Sequence, residues 1–138
     1  VQPRSATALV AALALVLSGC SLTTANTNTP KASGPAKAIG TVVSDFSNDA
    51  SSNNASGICK DILAASLVAH LDAIGGCSTI ITNQLQTVSN YSLTVTKYGV
   101  SGNSATALVK APDNGKNRLY TLHLVKEKGG WRISALTG

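Results

Sequence analysis

Leu122-His123-Leu124-Val125-Lys126-Glu127-Lys128-Gly129-Gly130-Trp131-Arg132-Ile133 reads as two strands and the turn between them. Leu122 and Leu124 continue an alternation that begins at Tyr120. Gly129-Gly130 predicts a tight turn, and Trp131 and Ile133 enter the returning strand. Side chains two residues apart share one side of a pleated strand, so the segment is expected to be a hairpin with one apolar face. His123 has the opposite parity and falls on the outer face with Thr121 and Val125.

Upstream, the same period recurs. Ala105, Ala107, Val109 and Ala111 alternate between two turn signals, Ser101-Gly102-Asn103 and Asp113-Asn114-Gly115. Leu93 and Val95 alternate as well, but Tyr98 and Val100 lie on the other parity, which predicts a bulge around Thr96-Lys97. Four strands with short turns make an antiparallel meander. Its apolar face needs a cover, and the cover available is helical. Pro35 suits a first helical turn, and Ile39, Val42, Val43 and Phe46 recur at helical spacing up to Asn48 to Asn54, a polar run that reads as a loop or a fraying last turn. A second helix is expected with Ser56 as its cap and Ile58, Ile62, Ala65, Leu67, Val68 and Leu71 on its buried side; Gly75-Gly76 stops it. Ser78 is placed to cap a third, short helical piece through Ile80, Ile81 and Leu85.

The other end of the chain has a different composition. Arg4 precedes an apolar run from Ala8 to Leu17, which is too short for a membrane span of about 20 residues and has the order of a secretory signal. The next residues complete Leu17-Ser18-Gly19-Cys20, which resembles the lipobox of bacterial lipoproteins. The resemblance implies a signal peptide over residues 1–19, cleavage before Cys20, and a diacylglyceryl group on the Cys20 thiol, with a further acyl chain such as palmitate on the new amino terminus. An ordinary secretory signal and a short buried helix are the competing readings of the same run. Residues 20–37 are rich in Thr, Asn and Pro and poor in large apolar side chains, and are expected to form a flexible tether. Its reach is on the order of 20 to 25 Å. Residues 38–138 would then be one domain, exported and held at the cell membrane.

Charge excludes little, but it does exclude something. Arg4 leaves with the signal, and the balance falls from +5 to +4, with cations interleaved among neutral and acidic residues. So thin a spread, with few aromatic side chains for stacking, disfavours nucleic acid as a partner. With Cys20 committed to lipid, Cys59 and Cys77 remain as an even pair in an exported domain and are expected to form a disulfide.

An amino-terminal helix, a second helix opening on a cysteine, Gly75-Gly76-Cys77, and a meander closed by the Leu122–Ile133 hairpin together resemble the small NTF2-like lipoproteins of bacteria. The likeness covers about residues 36 to 136. It implies an α+β cone in which helices pack on a curved four-stranded antiparallel meander, with a pocket between the layers. Expected wall residues are Phe46, Leu67, Leu93, Leu122, Leu124 and Trp131, joined by Val42 and Val109. Some NTF2-like proteins are isomerases or dehydratases, but such a site needs a carboxylate base opposite a tyrosine or a protonated acid. Asp45, Asp49, His70, Asp72, Tyr91, Tyr98, Tyr120 and His123 are the candidates, and none of them forms a set in the sequence. No cofactor motif is present, and the two histidines lack the short spacing of a metal site. The expected function is a non-catalytic module of the cell envelope that binds a small apolar ligand or an envelope protein. A small pocket enzyme, or an accessory domain forming a homodimer through the outer sheet face, is the alternative.

Overall fold

The computed structural model describes Ala25–Asn26 and residues 34–138. The expected signal peptide, Cys20 and most of the expected tether lie outside the described residues, but Pro35–Lys37, the last three residues assigned to the tether, already belong to the first helix. The fold is α+β: helices cover one face of an antiparallel sheet. No single helix among the described residues is long and apolar enough to cross a membrane.

Helix α1 spans Pro35–Ser51, with Pro35 in its first turn as expected. It ends at Ser51, inside the polar stretch Asn48 to Asn54, whose first residues form its last turn. Ala50 is fully buried, so the apolar face continues one turn further, and the Ser47 and Ser51 hydroxyls donate to carbonyls one turn back at 3.1 and 2.7 Å. Gly40 lies in the middle of α1, where glycine costs about 1 kcal/mol relative to alanine. A Cβ there would stand 3.2 Å from the Tyr98 hydroxyl, so the missing side chain lets helix and sheet approach. Burial pushes the Tyr98 hydroxyl above its ordinary pKa.

The predicted second helix is broken. A short turn, α2 (Ala55–Gly57), passes into a π-helical turn over Ile58–Ile62, closed by the Leu63 N–H donating to the Ile58 carbonyl at 3.0 Å. Leu63 and Ala64 are extended and buried, and helix α3 starts afresh at Ala65 and runs to Ile74. The cause is long-range: Leu63 pairs with Ile133 as a parallel bridge and the Ala64 N–H donates to the Ile133 carbonyl at 2.8 Å, which covers a sheet edge that would otherwise expose its backbone. The caps differ from expectation too. Asn54, not Ser56, caps α2 by accepting from the Gly57 N–H at 3.0 Å. Helix α4 spans Cys77–Leu85, and its first N–H, on Cys77, donates to Asp72 Oδ1 at 2.8 Å, so Ser78 is not the cap.

The sheet follows chain order: β1 (Ala25–Asn26), β2 (Thr94–Ser101), β3 (Ser104–Asp113), β4 (Lys116–Glu127) and β5 (Gly130–Thr137), all antiparallel. Strand β1 pairs with Tyr98 and Lys97, so two residues of the expected flexible tether belong to the sheet edge. The predicted bulge is present as a register shift between Val95 and Lys97, and a second shift, not foreseen, falls at His123 and Leu124. Glu127 pairs with Gly130, which moves the last turn to Lys128-Gly129, one residue before the expected Gly129-Gly130. Ala105, Ala107, Val109, Leu122, Leu124, Trp131 and Ile133 face the helices and form the core with Ile39, Val43, Ile58 and Ile62. No polar or charged residue is fully buried among the described residues.

Candidate functional site

The polar residues singled out in the sequence go mostly to structural work. Asp49 Oδ1 accepts from the Asn54 amide at 2.9 Å and so steadies the α2 cap. Asp72 is exposed at the end of α3 and caps α4. The Tyr91 hydroxyl donates to the Leu85 carbonyl and closes the end of α4. Tyr98 lies against Gly40, and Tyr120 is half-buried at the far end of the sheet beside Leu119 and Leu136. His123 is on the outer face as predicted, its Nε2 3.1 Å from Thr137 Oγ1. Asp45 and His70 are exposed. Among the described residues, no carboxylate shares a hydrogen bond with a tyrosine or a histidine, and no group of three metal-ligating side chains occurs.

The expected wall residues divide into two groups. Leu122, Leu124 and Trp131 are fully in the core, while Phe46, Leu67 and Leu93 are half-buried against it. The concavities described below open on the surface instead. One, of about 320 Å³, is at the end of the sheet by Tyr120 and Leu136. A second, of about 370 Å³, lies by Thr106, His123 and Ser134 and reaches Leu124. The third, of about 330 Å³, lies between α3 and the β4–β5 hairpin.

The third concavity has the most chemistry. Leu63 and Val68 give it an apolar side, and Lys60, Lys128 and Arg132 give it three cations. Arg132 is oriented by one donated hydrogen bond, from Nη1 to the Lys60 carbonyl at 3.0 Å. Glu127 and Asp72 also reach the cleft, but each accepts from the first N–H of a helix. Glu127 Oε2 accepts from Ala65 of α3 at 3.1 Å, and Asp72 from Cys77 of α4. Helix amino termini carry partial positive charge, which offsets the charge of both carboxylates. Among the described residues the ion pair within 4 Å is Arg118–Asp113, at the opposite end of the sheet, so the cleft cations have no carboxylate in salt-bridge contact.

Cys59 forms part of the cleft wall, and its sulfur is 2.02 Å from that of Cys77, a disulfide contact across a Cα–Cα distance of 6.1 Å. This is the pairing the cysteine count predicted. Sequence reasoning did not find the cleft. Lys60, Glu127, Lys128 and Arg132 come from segments some 70 residues apart, and the one local signal is a lysine inside a turn where the neighbouring hairpin has asparagine. Comparison with family models, with curated proteins and with solved structures returns no match.

Proposed function

We propose that this chain is a membrane-anchored lipoprotein of the bacterial cell envelope whose domain, NTF2-like in build, binds a ligand or partner without transforming it. The anchor half rests on the ordered succession of Arg4, the apolar run and Leu17-Ser18-Gly19-Cys20. More than one acyl chain at about 0.8 kcal/mol per buried methylene makes such attachment stable. The binding half rests on one observation: Asp49, Asp72, Asp113 and Glu127 are each held by a cap, an amide or a guanidinium. Asp45 and Asp61 are exposed on the surface. An isomerase-like site needs a base and an electrostatic stabiliser converging within about 3 Å of one substrate atom. Carboxylates held at helix ends are poorly placed to be that base.

Two measurements test the reading. Cys20→Ala should abolish incorporation of labelled fatty acid; incorporation at the unsubstituted level contradicts the anchor. The protein extracted from its own membranes should release a ligand whose mass and NMR spectrum are both unchanged after prolonged incubation with fresh protein, and a change in either, the spectrum alone for an isomerisation, would make it an enzyme.

A further inference from the structure

Three features meet in the cleft between α3 and the β4–β5 hairpin. It is concave, at about 330 Å³, which is the lower end of the size of small-molecule sites. It joins an apolar side, Leu63 and Val68, to three cations without a salt-bridge partner among the described residues, while the two carboxylates of its lining, Glu127 and Asp72, each accept from a helix N–H. And one of those cations, Lys128, is held with φ of +49° in the first central position of a two-residue hairpin turn, followed by Gly129 at +81°. A turn with both central residues at positive φ favours asparagine, aspartate or glycine there, and the β3–β4 hairpin follows that rule with Asn114 at +49° and Gly115 at +77°. Lysine has no local reason to occupy such a position. Lys128 lines the cleft, and a strained residue beside a concave charged surface points to a function.

We propose that this cleft takes the anionic head of a small amphiphile, a phosphate ester, between Lys60, Lys128 and Arg132, with the first apolar carbons of the ligand on Leu63 and Val68. The guanidinium keeps donors beyond the one given to the Lys60 carbonyl, in a fork that matches two phosphate oxygens. The lysines add point charges on either side. The volume admits a head and a few carbons, not a whole diacyl lipid. This inference rests on the binding reading and is independent of the anchor.

The test is lysine footprinting of the full chain in phosphatidylcholine vesicles. Acetylation rates are read by mass spectrometry with hexyl phosphate, hexanol or inorganic phosphate added. Hexyl phosphate should slow acetylation of Lys60 and Lys128 by about threefold or more, the scale of contact between exposed charges, and leave Lys110 and Lys116 unchanged. Hexanol and inorganic phosphate at the same concentration should protect less. Arg132→Gln should remove the protection, and Lys128→Gly, which suits its turn better than lysine, should remove that of Lys60 without endangering the fold. Replacing phosphatidylcholine by phosphatidylglycerol distinguishes the source. Protection without added ligand means that a membrane headgroup fills the cleft, protection by free hexyl phosphate alone means a soluble ester, and either upholds the site. Equal slowing of all lysines, equal protection by hexanol, or no protection in any arm overturns it. Fatty-acid labelling at Cys20 is unaffected by all of these outcomes, so failure of the site and failure of the anchor are read separately.

Discussion

The β3–β4 and β4–β5 hairpins have the same architecture and opposite surroundings. Both close through two residues at positive φ, Asn114-Gly115 in one and Lys128-Gly129 in the other. At the first, the residues are those the backbone prefers, and the flanking Asp113 is held by Arg118 in an exposed ion pair of 3.2 Å. At the second, the backbone tolerates a lysine, the flanking Glu127 reaches 62 residues back to cap α3, and the disulfide is part of the same wall. The first turn is explained by local conformation alone. The second is explained only with the cleft beside it, and the difference locates where this domain departs from what folding by itself requires.

The comparison can be broken most severely at the disulfide, which has no counterpart at the Asn114 end. Replacing both cysteines, Cys59→Ala with Cys77→Ala, opens a link between residues 18 apart and should lower stability by about 3 kcal/mol in the chain-entropy account. The denaturation midpoint against that of the oxidised parent measures it; a loss under about 1 kcal/mol would mean that the tie contributes little. Next comes the contrast between the flanking carboxylates. Glu127→Ala removes a helix cap and should cost about 1 kcal/mol, whereas Asp113→Ala removes an exposed ion pair and should cost about 0.5 kcal/mol or less. Equal losses in parallel urea titrations would erase the distinction between the two ends.

Much of the sheet was legible because strand periodicity is local. The parity change between Val95 and Tyr98 announced the bulge, and the turn signals at Gly102 and Asn114 gave the hairpins. The last turn was misplaced by one residue because Gly129-Gly130 offers the more flexible pair, while the register is set by Trp131 and Ile133 facing the core. The break at Leu63-Ala64 was invisible for a different reason. Ile58, Ile62, Ala65, Val68 and Leu71 keep helical spacing across it, and the partner that pulls the backbone straight is Ile133, 70 residues later. The cleft shares that obscurity: the sequence shows a lysine in a glycine-rich turn, and only the fold brings Lys60 and Arg132 beside it.

The most direct test of a lysine retained for binding against the preference of its turn is Lys128→Gly, followed for stability and for ligand protection in the same preparation. Relief of the left-handed conformation, about 1–2 kcal/mol, outweighs the added chain entropy of glycine, about 0.5–1 kcal/mol. The variant should therefore be more stable by about 0.5–1 kcal/mol and should lose most of the protection that hexyl phosphate gives Lys60. A midpoint that is unchanged or lower, with Lys60 still protected, would contradict the account.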